Sequence, residues 1–395
     1  EHLFLAAGIE RYQDPTGAWH GSPAGGGDPV SSYLTPGGSA RRPVAVVMPL
    51  PERRDLARRP VVLVLDTGIA ENPWLGIPQA APPSPGARVR VDGELQSIVR
   101  IWTTPTAQGD RTLQPIDDYW DRPVTDEPLV GQIDSATGHT VFIAGLIAQI
   151  APDADVMSVR VMHSDGIVYE QPVLAVLDRL IERLTRVRDG RREASEMVDI
   201  LCLSFGYYDE TSDTRSATPL LRKRLDALVK LGVLVVASAG NDSTATPFYP
   251  AALSTELGPR FRSVGALNPN GTATLFSNDG RCVNTWATGA VVVSTFPVVQ
   301  GSGQPANSVA PRPGANGRRP DRREALDEDD FISGWGVWSG ASFAAPIAAA
   351  VLAKYLIENS DNDCELALDK MGTDATIRRA TKAVDMAVEH TALAP

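Results

Sequence analysis

Three residues far apart in the sequence have the chemistry of a nucleophile, a base and a carboxylate that orients the base. Ser342 lies in a segment of small residues, 339–346, that reads SGASFAAP. A serine hydroxyl is a weak nucleophile at neutral pH and needs an adjacent base to accept its proton. An imidazole suits that role, and His139 stands well inside the patterned part of the chain. Asp66 is the carboxylate that would hold the ring in the required tautomer.

Each of these side chains stands where a regular element is predicted to begin or end. Asp66 follows the aliphatic run 61–65, which predicts a buried parallel strand, and open α/β sheets place their sites at the carboxyl ends of strands. His139 heads a helix-like run, and Ser342 heads an alanine-rich helix whose N-terminus favours developing negative charge. Taken singly, each residue has a simpler structural interpretation: a helix N-cap, a turn cap or a packed core histidine.

The order Asp66, His139, Ser342, with the motifs around these residues, resembles the subtilisin family of serine peptidases, the subtilases. Residues 66–68 match the family's Asp-Ser/Thr-Gly motif, and 139–145 are similar to its His-Gly-Thr-x-Val-Ala-Gly motif. The serine segment is similar to the family's Gly-Thr-Ser-x-Ala-x-Pro motif. These ordered matches run over most of the chain.

Two further segments extend the resemblance and imply the remaining site residues. The run 233–242 reads VLVVASAGND and is similar to the strand whose Ala-Gly-Asn end supplies an oxyanion donor, which implies Asn241. The run 200–206 reads ILCLSFG and is similar to the strand whose Ser-Leu-Gly end pairs with the substrate backbone. The substrate-binding residues implied by the resemblance are Ser204, Phe205, Gly206, Ser238, Ala239 and Gly240.

The resemblance implies a serine endopeptidase that hydrolyses peptide bonds in protein or peptide substrates through an acyl-enzyme. Asn241 and the backbone N–H of Ser342 would stabilise the negative oxygen of the tetrahedral intermediate. No acidic residue stands in 204–206 or 238–240, and Phe205 replaces a usual leucine. We therefore expect an apolar or medium-sized residue on the acyl side of the scissile bond.

The departures from the family's motifs leave a second interpretation open. Thr140 and Val141 stand where the family usually has glycine and threonine, and Ala341 replaces a threonine. If the family's glycine permits close packing between the helices that carry the histidine and the serine, Thr140 would displace His139. A displacement of about 1 Å can lower the rate about a hundredfold. The alternative is a degenerate subtilase that acts as a peptide-binding or scaffold protein. An esterase-type α/β hydrolase is rejected, because its nucleophile comes first in the chain and needs Gly-x-Ser-x-Gly.

Alternating strand and helix patterns predict an α/β fold, a doubly wound and mostly parallel sheet flanked by helices. We expect an N-terminal extension over 1–60, a catalytic domain over 61–358 and a C-terminal helical tail over 359–395. The catalytic domain is expected to carry insertions at about 71–135 and 300–330. The predicted strands are 155–162, 198–204, 233–237 and 261–267, and the predicted helices are 173–187 and 220–231. The arginine pairs at 41–42, 53–54 and 58–59 are interpreted as solvated linker charge, with processing sites as the alternative.

Composition limits the partners and cofactors. The 395 residues are 43% apolar and 22% charged, as in an ordinary globular protein, and the net charge of -11 disfavours nucleic acid. No apolar run reaches the roughly eighteen residues of a membrane span. No compact acidic loop indicates a metal site, so no cofactor is predicted and structural calcium stays unassigned. Three cysteines favour a reducing, cytoplasmic compartment, with secretion after removal of a signal as the alternative.

Overall fold

The computed structural model describes residues 3–6, 41–44, 49–56, 58–103, 115–121, 134–209, 218–299, 310–311, 322–323, 331–358 and 373–391. The helices are α1 (Gly93–Thr103), α2 (His139–Ile150), α3 (Glu170–Arg188), α4 (Thr218–Lys230), α5 (Ser254–Leu257), α6 (Ala341–Glu358) and α7 (Thr373–Thr391). The strands are β1 (Leu3–Ala6), β2 (Arg42–Pro43), β3 (Val61–Asp66), β4 (Val89–Val91), β5 (Asp155–Arg160), β6 (Ile167–Tyr169), β7 (Ile200–Leu203), β8 (Phe205–Tyr208), β9 (Leu234–Ser238), β10 (Phe248–Tyr249), β11 (Phe261–Leu267), β12 (Thr285–Thr288), β13 (Val292–Thr295), β14 (Ala310–Pro311), β15 (Arg322–Arg323) and β16 (Trp335–Trp338).

A seven-stranded sheet in the order β12-β11-β9-β7-β3-β5-β4 forms the centre of the molecule. Its strands pair in parallel throughout. Strands of this kind need crossover connections, and α2, α3 and α4 lie between successive sheet strands in the chain. The prediction of an α/β fold with a parallel sheet flanked by helices is confirmed.

Alternation along β3 divides the core into two layers, one on each face of the sheet. Val62 and Val64 belong to the cluster that contains the buried residues of α2 and α6. Leu63 and Leu65 belong to the other cluster, formed with α1, α3 and α4. Since successive side chains of a strand point to opposite faces, one continuous apolar run serves both layers.

The arginine pairs before β3 are bound to the domain, so their interpretation as solvated linker charge is wrong. Arg54 Nε lies 2.7 Å from Asp153 Oδ2, and Arg58 Nη2 lies 2.9 Å from Asp199 Oδ2. Arg53 pairs with the Asp155 carboxylate at the start of β5. The acidic partners stand at the amino ends of the sheet strands, where this part of the extension crosses them.

Other predictions fall on parts of the chain that cannot be compared with the structure. Most of the predicted insertion 300–330 and the segment 359–372 lie outside the described residues, and the domain boundaries stay predictions.

Among the helices of the described ranges, none is both long and apolar enough to cross a membrane. Cys202 is buried and Cys282 is partly buried, and both are free thiols.

Candidate active site

The carboxyl ends of three neighbouring strands bring the predicted site residues to one edge of the sheet. Asp66 is the last residue of β3, Ser204 follows β7 directly, and Asn241 comes three residues after β9 ends. These strands are adjacent in the sheet. The aliphatic sequences of all three make them central and buried, which fixes the positions from which these polar side chains project.

Asp66 and His139 form a buried hydrogen-bonded pair. His139 Nδ1 lies 2.8 Å from Oδ1 and 2.9 Å from Oδ2 of the carboxylate. The backbone N–H of Thr67 donates to Oδ1 at 2.8 Å. Neither side chain of the pair has more than 1% of its surface exposed. The carboxylate therefore fixes the orientation of the imidazole, with Nδ1 as the side that faces it.

Helix α2 begins at His139 because a glycine and a buried carboxylate shape the preceding turn. Gly138 has a φ of 81°, a conformation that costs glycine little. Its N–H donates to Asp121 Oδ2 at 2.7 Å, and Ser164 Oγ donates to Oδ1 at 2.7 Å. Burial raises the pKa of Asp121 above the usual aspartate value, although the Gly138 amide and the Ser164 hydroxyl oppose it.

The hydroxyl of Ser342 and the free nitrogen of the imidazole are not hydrogen-bonded to each other in this structure. Ser342 Oγ donates to the Ser204 carbonyl at 3.2 Å, and Ser204 Oγ donates to the Ser342 carbonyl at 3.0 Å. His139 Nε2 is buried without a hydrogen-bond partner among the described residues. The His139 ring lies 5.2 Å from the ring of Phe343, the residue that follows the serine.

Asn241 joins the loop after β9 to the start of α6. Its Oδ1 accepts a hydrogen bond from the Ala341 N–H at 2.7 Å. Its Nδ2 is buried and has no hydrogen-bond partner within the described part of the chain. Ser342 lies in the first turn of α6, where backbone N–H groups have no intrahelical acceptor. The amide of Asn241 therefore has a free donor close to a helix N-terminus.

Thr140, where the family usually has glycine, places its hydroxyl beside the Asp66 carboxylate, and its effect on the position of His139 relative to Ser342 stays a prediction. Its Oγ1 donates to Asp66 Oδ1 at 3.2 Å and accepts from the Gly68 N–H at 3.0 Å. The hydroxyl thus occupies the space beside the carboxylate while the Asp66–His139 bond keeps ordinary length. Ala341, the departure in the serine motif, is fully buried in the apolar cluster that contains α2.

The predicted substrate-binding segments are held by close backbone contacts. Gly240 has a φ of 103°, and a Cβ there would lie 2.3 Å from Asn278 Nδ2. A Cβ on Gly206 would lie 2.3 Å from the Tyr249 carbonyl oxygen. Phe205 is 1% exposed and its ring belongs to the core cluster with α3 and α4. The apolar preference on the acyl side stays a prediction, and the Phe205 ring is not its source.

Ser238 and Ala239 belong to the second of these segments, and both are buried. Ser238 ends β9, and Ala239 donates its N–H to the Val264 carbonyl at 2.9 Å. Cys202 lies nearby, with its sulfur 3.9 Å from Ser204 Oγ. Burial raises the pKa of the Cys202 thiol to about 12, so this cysteine is protonated at neutral pH and is no competing nucleophile.

Sequence reasoning missed two residues that contact the histidine segment. Asp121 stands in a stretch with no periodicity, so nothing in the sequence marked it. Arg41 donates from Nη1 to the Thr137 carbonyl at 3.0 Å, and its guanidinium carbon lies 5.0 Å from the centre of the Trp338 ring. The arginine pair was a visible signal, but the sequence does not reveal that Arg41 is 5% exposed.

Within the described ranges, no group of three or more His, Cys, Asp or Glu side chains is placed to hold a metal ion. The buried acids near the site, Asp66 and Asp121, are separately occupied by the donors named above.

The fold is a parallel α/β sheet flanked by helices. Its edge carries a carboxylate–imidazole pair and an asparagine amide, and a serine stands at the start of a helix there. The Subtilase family model matches residues 57–391, and the chain belongs to that family.

The relatives are distant. The chain is 26% identical over 163 residues to Subtilisin-like protease 2 of Trichophyton verrucosum, covering 40% of this chain and 34% of that protein. It is 28% identical over 169 residues to the minor extracellular protease Epr of Bacillus subtilis, covering 40% and 22%. With the subtilisin-like proteinase Spm1 of Pyricularia oryzae the identity is 25% over 261 residues, covering 63% and 39%. The matched part thus spans well under half of these relatives' length.

Two solved structures are similar to parts of this chain. One is a cold adapted subtilisin-like serine proteinase, at 18% identity and a TM-score of 0.44, with 78% of this chain and 81% of that chain covered. The other is a lanthipeptide protease, at 16% identity and a TM-score of 0.47, with 83% and 87% covered.

Proposed function

We propose that this protein is a serine endopeptidase whose triad is Asp66, His139 and Ser342. The observation that carries the proposal is that, among the described residues, His139 Nε2 and Asn241 Nδ2 are buried without a hydrogen-bond partner. Asp66 holds the imidazole through Nδ1, which leaves Nε2 free to accept the serine proton. Asn241 is held through its Oδ1, which leaves Nδ2 free to donate. Each free atom is the one that acyl transfer requires.

The reaction follows from these positions. His139 Nε2 accepts the proton of Ser342 as Oγ attacks the substrate carbonyl, and Asp66 stabilises the imidazolium without taking the proton. Asn241 Nδ2 and the Ser342 N–H donate to the oxygen that becomes negative. The imidazolium then returns the proton to the leaving amine, and water hydrolyses the acyl-enzyme by the same sequence. Before attack, the Ser342 hydroxyl has to turn from the Ser204 carbonyl towards Nε2.

The hydrogen bond from Ser342 to Ser204 favours the second candidate. A degenerate subtilase that only binds peptides would keep the substrate-binding segments at the sheet edge but would leave Ser342 unactivated. Hydrogen bonds of catalytic groups are often long or misaligned before a substrate binds, so this geometry does not by itself reject an active enzyme. A reaction at Ser342 separates the two candidates.

Labelling with a fluorophosphonate probe is the test. The wild-type chain should react at one site, found by mass spectrometry at Ser342, and Ser342→Ala and His139→Ala should lose the label. Asn241→Leu should slow labelling by about two to three orders of magnitude, a magnitude taken from subtilisin, which belongs to this family. Ser97→Ala, at an exposed helix position whose hydroxyl bonds to Glu94, is the matched control and should label normally. A wild-type chain that folds but does not label would favour the peptide-binding candidate.

A further inference from the structure

The loop that carries Asn241 has a backbone shape that its own sequence does not determine. Gly240, just before Asn241, has a φ of 103°, and Ser243, two residues after it, has a φ of 53°. Residues other than glycine rarely adopt a positive φ, and they keep it where the surrounding structure fixes it. The neighbours of this loop, residues 239–244, therefore determine its conformation. We call it the oxyanion loop.

The main neighbour of the oxyanion loop is the segment that connects β11 to β12. The Asn278 N–H donates to the Gly240 carbonyl at 3.0 Å, and the Ser243 N–H donates to the Phe276 carbonyl at 3.0 Å. Main-chain hydrogen bonds thus join the two segments on both sides of Asn241.

The side chain of Asn278 adds four more hydrogen bonds at the same place. Its Nδ2 donates to the Ala239 carbonyl at 2.9 Å and to Tyr208 Oη at 2.8 Å. Its Oδ1 accepts from the Asp242 N–H at 2.8 Å and from the Thr244 N–H at 3.3 Å. An asparagine amide has two donor hydrogens and one oxygen with two lone pairs, so its whole capacity is used. Asn278 is 2% exposed, and water cannot replace these bonds.

The contact between Asn278 and the oxyanion loop leaves no space for adjustment. A Cβ on Gly240 would lie 2.3 Å from Asn278 Nδ2, so the amide packs directly on the backbone of the loop. Tyr208 Oη, which accepts from Asn278, donates to Asp242 Oδ2 at 2.5 Å. One buried amide therefore joins the residues on both sides of Asn241 to the end of β8.

We propose that Asn278 is a positioning residue, which holds Asn241 Nδ2 at the place where the negative oxygen of the tetrahedral intermediate forms. This role rests on the proposed function, because it takes Asn241 as the oxyanion donor. The Ala341 N–H fixes the other end of the amide, since it donates to Asn241 Oδ1 at 2.7 Å. With the backbone held by Asn278 and Oδ1 held by α6, the direction of Nδ2 is set before a substrate arrives. A donor held in this way stabilises the transition state without reorganisation.

The alternative is that Asn278 stabilises the domain and has no effect on Asn241. Its loss would then lower stability, and any loss of reactivity would be independent of Asn241. A positioning role makes a different prediction, because two residues that act through one group have effects that are not additive.

A double-mutant cycle on the full-length chain tests the proposal, with the rate constant of fluorophosphonate labelling at Ser342 as the measurement. Asn278→Ala should slow labelling by about ten- to a hundredfold, since a misplacement of about 1 Å can cost a hundredfold. In a chain that already carries Asn241→Leu, the same substitution should change the rate by less than about twofold, because the donor that Asn278 positions is gone.

Asn284→Ala is the matched control. The Asn284 side chain also bridges two main-chain groups, but these lie at the amino end of β11: Oδ1 accepts from the Ser263 N–H at 3.0 Å, and Nδ2 donates to the Phe261 carbonyl at 3.0 Å. This variant should label at the wild-type rate.

Tyr208→Phe is a milder variant that keeps the test decisive if Asn278→Ala does not fold. It removes one of the four partners of the Asn278 side chain and keeps the aromatic ring. The loss of one hydrogen bond should slow labelling by about two- to tenfold. That effect too should disappear in the chain with Asn241→Leu.

A second measurement does not need a reactive serine. In protein made with isotopically labelled asparagine, the NMR signal of the Asn241 side-chain amide is identified by its loss in Asn241→Leu. It should shift in Asn278→Ala and in Tyr208→Phe, and it should stay in place in Asn284→Ala.

Four results would overturn the proposal. The first is an Asn278→Ala variant that labels as fast as the wild type, and the second is equal slowing with and without Asn241. The third is an Asn241 amide signal that does not move, and the fourth is slowing of the same size in Asn284→Ala. Failure of the proposed function is distinguishable, because the wild-type chain would then not label at all while the Asn241 signal would still shift in Asn278→Ala.

Discussion

At the scale of single residues, Thr140 replaces the family's glycine by a side chain that takes part in the site. Its hydroxyl lies between the Asp66 carboxylate and the Gly68 amide, donating to the first and accepting from the second. Asp66 is completely buried, so each donor that it accepts from helps to fix the carboxylate in one position. We infer that Thr140 positions Asp66 and, through it, the imidazole.

Two substitutions at this position separate the hydroxyl from the bulk of the side chain. Thr140→Val removes both hydrogen bonds at nearly constant shape, and a typical hydrogen bond contributes about 0.5–1.5 kcal/mol. We expect the rate constant of fluorophosphonate labelling to fall by about three- to tenfold. Thr140→Ser keeps the hydroxyl and should restore the rate to near that of the wild type.

A second measurement shows whether the hydroxyl acts through the Asp66–His139 pair. The proton NMR signal of the hydrogen on Nδ1 of His139 should shift in Thr140→Val and return in Thr140→Ser. If Thr140→Val and Thr140→Ser label equally fast and the His139 Nδ1 proton signal is the same in both, the side chain of Thr140 only fills space.

At the scale of elements, the position of His139 depends on how closely α2 approaches β13. Thr295 Oγ1 donates to the Val141 carbonyl at 2.8 Å, and Ser294 Oγ donates to the Phe142 carbonyl at 2.6 Å. Gly145 permits this approach, since a Cβ there would lie 2.2 Å from Thr295 Oγ1 and 2.7 Å from the Thr295 backbone nitrogen. The backbone nitrogen cannot rotate away, so any side chain must separate the helix from the strand.

Gly145→Ala is therefore expected to lower both stability and reactivity. Alanine favours a helix by about 1 kcal/mol over glycine, but overpacking of this kind costs about 1–3 kcal/mol. We predict a thermal unfolding midpoint several degrees lower and slower labelling of Ser342. Gly93→Ala, at the start of α1 with nothing within 4 Å of the added Cβ, is the control and should change neither. If Gly145→Ala and Gly93→Ala have the same unfolding midpoint and the same labelling rate, the close approach of α2 to β13 determines neither property.

The elements also show what the sequence can predict. Strands β3, β7 and β9 are continuous aliphatic runs because both of their faces are buried, and a run of that kind is recognisable without knowing its partners. Strands β1 and β2 have four and two residues, and they exist only through pairing with residues far along the chain. Such pairing leaves no local pattern, so neither strand was predicted.

The same distinction applies to the candidate site. Asp66, His139 and Ser342 stand at the ends of strongly patterned elements, so the place of each residue in the fold could be predicted once the sheet was predicted. Asp121 and Arg41 reach the histidine turn from segments whose path no periodicity determines. Their contacts are visible only after the whole chain is placed.

At the scale of the whole molecule, Asp199 joins three distant parts of the chain. It precedes β7 and is 1% exposed. Its carboxylate accepts from Arg58 before β3 at 2.9 Å, from the Val61 N–H at 2.9 Å, and from Arg379 on α7. The segment before the sheet, the sheet itself and the last described helix therefore share one buried charge.

The charges around Asp199 determine its ionisation. Burial alone would raise the pKa of this carboxyl, but Arg58, Arg379 and the Val61 amide outweigh burial and hold the pKa below the usual aspartate value. A depressed pKa in the folded state means that the carboxylate stabilises the fold above the unfolded pKa of about 4. That contribution is lost as the pH falls through the lower folded value.

Asp199→Asn should accordingly destabilise the protein at neutral pH and much less in acid. Removing one partner of a buried ion pair costs about 3–5 kcal/mol, because the remaining charges stay buried. We expect the urea midpoints of wild type and variant to differ by a constant amount from pH 8 to pH 5, and the difference to narrow below about pH 4. Asp226→Asn is the control: its pair with Lys230, 2.6 Å long, has side chains 38% and 71% exposed and contributes about 0–1 kcal/mol. A difference for Asp199→Asn that matched the control, or that persisted unchanged to pH 2, would mean that the three parts of the chain are held together by apolar packing and not by this charge.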